Sequence, residues 1–277
     1  SGVHHGISRT ASAIETSLLE RCVEEYNAFV KTMNSEVCAS VSETNPILQE
    51  MRVFFFQHGF DPSVHNQPRL DVLEVYCSSE SQLTQQCLRQ GLRAKRFCLQ
   101  DGDLSVQSGR FKLYEVLMKH RPRHIWTAPR CKAWCRWSQF NAGRSVAMAE
   151  QVMQARDADQ VHLQLCDALF QYQCIMGPSF HYHLEQPKGS HMIFQEPLQS
   201  IVNKSIRACC DMCTAGKLRN PETQQFLQKG TQIFTSSAIM ARCLEQLTCN
   251  HQHQHSPVAG SFRDSEGHHQ KEIGRAH

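Results

Sequence analysis

The sequence predicts an α/β fold: a Rossmann-like, doubly wound and mostly parallel sheet preceded by an N-terminal helical extension. Two observations predict it. Apolar, β-prone runs alternate with helical segments from Leu70 onward, and two of these runs end abruptly in Ala128-Pro129-Arg130-Cys131 and in Glu185-Gln186-Pro187. Ligands bind at the carboxyl ends of strands in such sheets, so this thiol and this carboxylate can belong to one site.

Residues 1–67 are predicted to form the helical extension and a linker. Apolar side chains recur on one face of residues 8–33, and residues 45–58 favour a second helix that has Pro46 near its start and Gly59 after its end. A polar segment with two prolines, residues 61–68, follows. Such a segment is typical of a domain boundary.

The α/β domain is predicted to span residues 68–262. Predicted strands cover 71–76, 92–99, 124–128, 179–184, a short run near 208–209, and 231–235. Predicted helices cover 81–91, 109–120, about 143–175, about 197–207 and a last segment that ends at Leu247. Residues 263–277 are polar and without pattern, and we expect a disordered tail. Its last five residues also match one reading frame of a common sequencing adapter, which indicates an assembly artefact.

Composition limits the classes of function. The formal charge is +3, with an isoelectric point near 8.2 and a mean hydropathy of −0.45, so charge alone does not indicate nucleic acid. No stretch reaches the ~18 to 20 apolar residues of a membrane helix, and the amino terminus lacks a signal-peptide pattern. With 14 cysteines, these features predict an intracellular protein in a reducing compartment, not secreted and without a membrane partner.

Cys131 and Glu185 are the candidate catalytic residues. Cys131 follows a proline at a strand end, and the nearby cations of Arg130, Lys132 and Arg136 favour its thiolate. The alternative is a cysteine packed among Trp134 and Trp137. Glu185 lies in a strand rich in aromatic and histidine residues, where a carboxylate needs a partner; the alternative is a structural ion pair or a hydrogen bond to a backbone amide. The period of two places His181 and His183 on the same face as Glu185, although a metal there is the less favoured interpretation.

The turn after the first strand is the candidate cofactor site. Glu74 ends an acidic strand, but the turn that follows contains serines where a glycine-rich turn is usual. An acid after the second strand can bind ribose hydroxyls or an adenine amine; a plain surface turn is the alternative. The candidate cofactor residues are Glu74, Tyr76, Ser78, Ser79, Asp101, Asp103 and Pro129.

Two clusters suit zinc, because thiolates and imidazoles are its preferred ligands. One contains Cys209, Cys210 and Cys213, and the other runs from Cys249 through His251 and His253 to His255. Their spacing matches no standard zinc finger, and a polar loop with surface histidines is the alternative. The zinc prediction requires a thiol such as Cys213 to lie near His253 and His255; the candidate ligands are Cys213, Cys249, His253 and His255.

Several of these residues together resemble a methyltransferase-like domain of dinoflagellate proteins, often found inside copia-type retrotransposon polyproteins. The resemblance covers about residues 70–261. It rests on Val72-Leu73-Glu74-Val75, Gly102-Asp103-Leu104, the run from Arg121 to Cys131, Asn141, His183-Leu184-Glu185-Gln186-Pro187, Asp211-Met212-Cys213, Thr235-Ser236 and the run from Cys249 through His253, His255 and Pro257 to Gly260.

That domain is in turn similar to cytosine-5 DNA methyltransferases. The resemblance implies a class I fold with S-adenosylmethionine as cofactor, nucleic acid as partner, Cys131 as nucleophile on the pyrimidine ring, and Glu185 as the acid that binds the ring nitrogen and exocyclic amine. It also implies a nuclear location. Arg130 stands where those enzymes have proline, and the cofactor turn lacks glycine. The open alternative is a degenerate fold kept as a structural or nucleic-acid-binding module of a mobile element, stabilised by zinc.

Overall fold

A computed structural model describes residues 45–216, 219–220, 223–257, 262–263 and 269–270. The helix predicted over residues 8–33 and most of the predicted tail lie outside the described residues. The remaining predicted strands and helices can be compared directly with the structure.

The described elements follow the predicted alternation. The helices are α1 (Pro46–Gln57), α2 (Gln82–Arg89), α3 (Gln107–His120), α4 (Arg136–Ala142), α5 (Val146–Met176), α6 (Glu196–Lys204), α7 (Met212–Ala215) and α8 (Ala238–Glu245), with 3₁₀ turns at Lys132–Trp134 and His191–Phe194. The strands are β1 (Leu70–Cys77), β2 (Ala94–Cys98), β3 (Pro122–Thr127), β4 (His181–Pro187), β5 (Ile206–Asp211), β6 (Phe226–Gln228), β7 (Gly230–Thr235), β8 (His255–Pro257), β9 (Phe262–Arg263) and β10 (His269–Gln270).

The main sheet has six strands in the order β2-β1-β3-β4-β7-β5. The pairs β1–β2, β1–β3 and β3–β4 are parallel, whereas β7 runs antiparallel to both β4 and β5. The expectation of a mostly parallel sheet is therefore confirmed, with one reversed strand that the alternation did not predict. A parallel arrangement of β5 and β7 would need a long crossover connection, usually a helix. The described part of the β5–β7 connection contains only the four-residue α7 and the short β6, which is consistent with the antiparallel pairing.

One face of the sheet is covered by α5, the longest helix. Leu73, Val75, Ile125 and Tyr182 of the central strands are fully buried. The C-terminal half of α5 is almost continuously buried, whereas its first turns are exposed and carry charged side chains. Across the described part of the chain, no helix is both long enough and apolar enough to cross a lipid bilayer.

The helix predicted over residues 45–58 is α1, and it packs against α3 and α5. Arg110 of α3 forms a bidentate ion pair with Glu50, with both N–O distances at 2.7 Å, and the Tyr114 hydroxyl donates to Glu50 at 2.9 Å. The Phe55 ring lies 5.7 Å from that of Tyr172 in α5. A helix assigned to the extension thus contacts helices of the α/β domain; the division at residue 67 stays a prediction.

The opposite face carries a smaller apolar cluster under α8. Ala208, Cys210 and Ile233 of the sheet pack with Ala241 and Leu244 of the helix. Helices therefore lie on both faces, as expected for a doubly wound sheet. Since β7 is reversed, its first residues lie beside the carboxyl ends of the other five strands. This end of the strands is the edge of the sheet that holds the predicted site residues.

Candidate functional site

The turn after β1 contains a backbone outlier. Tyr76 has φ of +65°, in the left-handed region, and the pairing with β2 is interrupted there by a register shift. A bulky residue rarely adopts this conformation, because it costs on the order of 1–3 kcal/mol. Residues strained in this way are found most often at ligand-binding and active sites. The Tyr76 hydroxyl is 3.2 Å from Nδ1 of His162. The tyrosine thus achieves the sharp bend that the missing glycine was expected to provide.

Glu74 faces the start of α2. Its Oε2 accepts hydrogen bonds from the Ser81 hydroxyl, from the Thr84 hydroxyl at 2.7 Å and from the Thr84 backbone N–H at 3.2 Å. The residue is 8 % exposed. A carboxylate at a helix amino end is stabilised by the unpaired N–H groups and by the helix dipole. The structure therefore gives Glu74 a definite role in holding the turn, while its contact with a cofactor stays a prediction.

The other candidate cofactor residues lie in two turns. The Ser78 hydroxyl accepts from the Glu80 backbone N–H at 3.3 Å, and Ser79 is half-buried beside it. Asp101 accepts from the Cys98 backbone N–H at 2.9 Å. Asp103 is exposed, and hydrogen bonds from Ser105 lower the pKa of its carboxyl. Asp103 is consequently an ionised acid at the end of β2 at neutral pH.

A polar face of α5 completes this edge of the sheet, and the sequence predictions missed it. The Trp134 indole N–H donates to Asp159 Oδ2 at 2.9 Å, and the Arg156 guanidinium lies 5.0 Å from the Trp134 ring centre. Burial raises the pKa of Asp159 and lowers that of His162. Arg156, Asp159 and His162 follow one another at intervals of three residues, so they share a helix face. Their spacing of three residues along the helix is the signal that could have identified them.

Pro129 and Cys131 form the loop after β3. The backbone N–H of Ala128 donates to Val75 of β1 at 3.3 Å, and the Gln186 side chain donates to the Pro129 carbonyl at 3.1 Å. Cys131 precedes the 3₁₀ turn and is half-buried. These contacts connect the loop to the strands on both sides of β3.

Glu185 and Cys131 interact electrostatically. Burial raises the pKa of Cys131; the nearby Cys135 and the charge of Glu185 raise it further, while Lys229 lowers it. The thiol is therefore protonated at neutral pH in this structure. Glu185 Oε2 accepts a 3.0 Å hydrogen bond from the indole N–H of Trp126. The carboxylate therefore has a structural partner, but this partner is a tryptophan side chain and not the ion pair or backbone amide that the sequence suggested.

The histidines of β4 share the Glu185 face of the sheet, as the period of two predicted. His183 Nε2 is 3.0 Å from Nδ1 of His124, and the His183 ring is tilted against that of Trp126 at 5.2 Å. His183 Nδ1 lies 2.8 Å from the Thr235 hydroxyl. The pKa values of His124 and His181 are lowered to about 4, and burial is the largest cause. His124, His183 and Thr235 thus form a hydrogen-bonded chain on the sheet, and the His181 ring packs against His124 at 5.0 Å.

The sequence also predicted that a distant thiol would join the late histidines, and the structure confirms it. The ligand atoms of Cys213, Cys249, His253 and His255 all lie within 4.8 Å of one another. Within the described ranges they form the one group of this kind. Cys213 comes from α7, whereas Cys210 packs in the apolar cluster under α8. The two clusters seen in the sequence therefore contribute to a single site that can bind a metal such as zinc.

The distances within this cluster fit a tetrahedral ion. Sulfur and nitrogen are 3.5 and 3.6 Å apart for Cys249 with His255 and His253, and 3.4 Å apart for Cys213 with His255. Zinc bonds of about 2.3 Å to sulfur and about 2.0–2.1 Å to nitrogen place tetrahedral ligands about 3.5 Å apart. His255 Nε2 approaches two sulfurs and Cys249 Sγ approaches two nitrogens. One shared proton satisfies one such contact, whereas a central cation satisfies them all.

Groups around the cluster hold its ligands in place. The backbone N–H of Cys249 donates to Asp211 Oδ2 at 2.9 Å, and that of His251 donates to the Cys249 sulfur at 3.2 Å. Asp211 Oδ1 is also paired with Lys188 at 3.2 Å. Such outer contacts orient metal ligands before the metal binds.

The predicted residues thus fall into three groups along one edge of the sheet: the turns after β1 and β2, the Cys131–Glu185 pair, and the metal cluster beyond β5. The loop after β3 contacts both of the first two groups. Lys229 links Cys131 to the third group: its charge lowers the pKa of Cys131, and its carbonyl accepts a hydrogen bond from the Met212 backbone N–H at 2.9 Å. No protein-family model, no curated protein and no solved structure matches this chain.

Proposed function

We propose that this chain is a class I methyltransferase-like protein that binds S-adenosylmethionine beside β1 and acts on a cytosine in nucleic acid. The observation that carries the proposal is the strand order. From β1 the chain moves outward to β2, and then returns across β1 to add β3 and β4 on the other side. In open α/β sheets the ligand crevice lies at such a switch point, outside the carboxyl ends of the strands.

The switch point between β1 and β3 is where the candidate residues collect. Tyr76 lies at the end of β1, and Pro129 and Cys131 follow β3. A reversed strand next to the last parallel strands is also typical of class I methyltransferase sheets, and β7 occupies that position here. Both features support the resemblance in the sequence.

The residues at this edge suit the proposed cofactor in two respects. The left-handed Tyr76 turns the chain sharply at the end of β1, a kind of backbone strain that clusters at ligand sites, and the ionised Asp103 offers a carboxylate to hydroxyl or amine groups. S-adenosylmethionine, when bound, supplies an electrophilic methyl group. In this proposal the chain's own residues position it: the β1 turn on one side and the loop after β3 on the other.

In the proposed reaction, the Cys131 thiolate forms a bond to C6 of the pyrimidine ring as the C5–C6 double bond opens, and C5 takes the methyl group from the cofactor, which leaves as the thioether. Loss of the C5 proton and breakage of the C6–sulfur bond then restore the ring and the thiolate. Glu185 accepts from the exocyclic amine through a lone pair and donates to the ring nitrogen when its carboxyl group carries a proton. Glu185 Oε2 already accepts one hydrogen bond from Trp126. The raised pKa of Cys131 means that the thiol must lose its proton before it attacks. Lys229 is the nearby cation that favours the thiolate.

The test begins with calorimetry of the purified chain with S-adenosylmethionine, and we expect saturable binding. Transfer of a labelled methyl group to single- and double-stranded DNA and RNA is then measured for the wild type, Cys131→Ser and the matched control Cys135→Ser. The proposal expects loss of transfer in the first variant only. If S-adenosylmethionine does not bind, or if Cys131→Ser transfers methyl groups normally, the enzymatic proposal fails and a degenerate fold is favoured.

A second candidate function, zinc binding, has its own observation. We infer that Cys213, Cys249, His253 and His255 bind one zinc ion, because their four ligand atoms lie within 4.8 Å of one another and three sulfur–nitrogen distances are 3.4 to 3.6 Å, as expected for tetrahedral ligands. All four coordination positions come from the protein, which is the pattern of structural rather than catalytic zinc. Elemental analysis of protein purified without chelator should give about one zinc per chain. A metal content near zero after reconstitution would remove this function.

A further inference from the structure

A continuous stretch of the chain is basic without a single acid. Between Glu115 and Glu150 there are seven lysine or arginine residues and no aspartate or glutamate. The whole chain has 29 basic and 26 acidic residues, a net charge of only +3, so the positive charge of this segment is balanced by an excess of acidic residues elsewhere. A local excess of one sign attracts ligands of the opposite sign, whatever the overall charge.

The fold places the middle of this stretch at the edge of the candidate site. Arg130, Lys132, Arg136 and Arg144 are all exposed, and they lie in the loop after β3, the 3₁₀ turn and the segment around α4. The Arg136 side chain lies against the turn after β4, where a Cβ on Gly189 would be 3.4 Å from its Nε. The basic stretch therefore extends from the Cys131 loop to the end of the strand that carries Glu185.

Two aromatic rings are exposed among these cations. Trp137 is 63 % and Phe140 is 62 % exposed, and their ring centres are 6.1 Å apart at an interplanar angle of 88°. Neither ring is needed by the core, because the same segment packs inward through Trp134 and Ser138, which are 2 % and 8 % exposed. Neighbouring exposed aromatic residues indicate an interaction site more often than isolated ones do.

The geometry points to a single-stranded nucleic acid as the occupant of this surface. Bases stack on Trp137 and Phe140, and phosphates contact Arg130, Lys132, Arg136 and Arg144. This inference rests on the proposed function in taking nucleic acid as the ligand class, and it adds the strand state and the surface. Aromatic rings alternating with cations are the recurrent arrangement for single strands, whose bases are free to stack.

Two other occupants fit less well. In a duplex the bases stack on each other and offer no free face to the two rings, so a duplex would use the cations alone. A lipid surface needs a long amphipathic helix with a continuous apolar face. Here α4 has seven residues, and the exposed Gln139 lies between the two rings in sequence.

Binding is tested by fluorescence anisotropy of the intact chain with labelled 16-nucleotide oligothymidylate and oligouridylate, with a 16-base-pair duplex, and without S-adenosylmethionine. We expect a single strand to bind more tightly than the duplex. Loss of one stacking contact weakens binding by about 5- to 150-fold, so Trp137→Ala and Phe140→Ala should each do so. Arg136→Gln and Arg144→Gln should each reduce the slope of log K against log salt by about 0.7 between 50 and 200 mM salt.

Matched controls are an exposed aromatic residue and an exposed arginine that precede Glu115 and so lie outside the basic stretch. Phe56 is 86 % exposed, and Arg89 is exposed as well. Phe56→Ala and Arg89→Gln should bind the oligonucleotides like the wild type. Circular dichroism checks that each variant is folded. We expect the aromatic variants to fold, because Trp137 and Phe140 are exposed.

The outcomes separate this inference from the proposed function. Equal binding by the wild type and both aromatic variants would overturn the inference, as would a preference for the duplex, even if S-adenosylmethionine binds. Single-strand binding that depends on Trp137 and Phe140 would support it, even if calorimetry detects no cofactor. In that case the methyltransferase proposal fails and the surface remains.

Discussion

The sulfur of Cys213 lies 3.4 Å from Nε2 of His255, although 42 residues separate them in the sequence. This contact brings the start of the β5–β7 connection against β8. With Cys249 and His253 it closes a ligand set whose members come from two separate segments of the chain, α7 and residues 249–255. A metal there would restrain both segments at once, because each provides at least one ligand.

Replacement of one thiol should therefore affect both metal content and stability. In Cys213→Ser we expect the zinc content to fall well below one per chain, because a neutral hydroxyl is a poor zinc ligand. At free zinc a thousandfold above Kd, the metal stabilises the wild type by about 4 kcal/mol. The expected decrease in Tm is roughly 10 °C, measured by calorimetry with and without chelator.

The control for this experiment is Cys243→Ser, since Cys243 is exposed and lies outside the cluster. It should keep the zinc content and the Tm of the wild type. A Cys213→Ser protein that retains one zinc per chain with unchanged Tm would contradict the assignment of Cys213 as a ligand.

The hydrogen bond between Trp126 and Glu185 should be structural as well as functional. Trp126→Phe removes the donor and leaves a half-buried carboxylate without it, so we expect a loss of about 1–3 kcal/mol in the free energy of unfolding. Glu185→Gln keeps an oxygen that can accept the same bond and should cost less. Urea denaturation followed by far-UV circular dichroism measures both. A larger loss in Glu185→Gln than in Trp126→Phe would show that another contact of the carboxylate dominates.

The ion pair between Arg110 and Glu50 should be one of the more costly contacts to break. Its two side chains are only 8 % and 15 % exposed, and Arg110→Leu leaves Glu50 beside Tyr114 without its cation. Breaking a buried pair in this way costs about 3–5 kcal/mol.

The matched variant is Arg93→Leu, whose arginine pairs with Asp71 but is 57 % exposed; surface pairs contribute about 0–1 kcal/mol. Chemical denaturation of both variants gives the comparison. Similar losses in the two proteins would mean that α1 contributes little to the stability of the sheet domain.

Acid should destabilise the protein through its buried histidines. The pKa values of His124 and His181 are about 4 in the folded chain, below the ordinary value of 6.5, because burial disfavours the charged form. Such groups take up protons mainly on unfolding, so stability is unaffected above pH ~6.5 and falls as the pH decreases toward 4. A shift of this size corresponds to about 3 kcal/mol for one group, and the two are not additive because their charges repel each other.

Urea denaturation at pH 7.5, 6.0 and 5.0 measures this loss. His124→Phe should flatten the pH dependence, whereas the exposed His65→Gln should leave it unchanged. If the His124→Phe protein loses stability between pH 6.5 and 5 as steeply as the wild type, other groups cause the effect.

Much of the fold was accessible from the sequence because local patterns determine it. The runs around Val72, Ile125, Tyr182 and Ile233 are strands, and their bounds lie within three residues of the predicted ones. The orientation of β7 was not accessible, because the alternation of strands and helices describes neighbours in sequence. Whether β5 and β7 pair parallel or antiparallel depends instead on the length and content of the segment that connects them.

The candidate site shows the same division. The strand-end positions of Cys131 and Glu185 follow from the apolar runs before them, and the need for a thiol near His253 and His255 follows from zinc chemistry. The sequence could not show that Trp126 donates to Glu185, that Glu74 faces α2, or that His162 reaches Tyr76 across 86 residues. These contacts depend on strand register and helix rotation, which only the assembled sheet determines.

The reversal of β7 has a consequence for how this protein can change over time. Asp211 and Gly230 are paired across β5 and β7, so the chain leaves the sheet and re-enters it at adjacent positions of the same edge. The length of the segment between them is therefore not fixed by the span of the sheet, and residues can be gained or lost there at small entropic cost. Cys213 lies inside that segment. A lineage can accordingly lengthen, shorten or replace the segment that supplies Cys213 while β1 to β4 and their turns stay as they are.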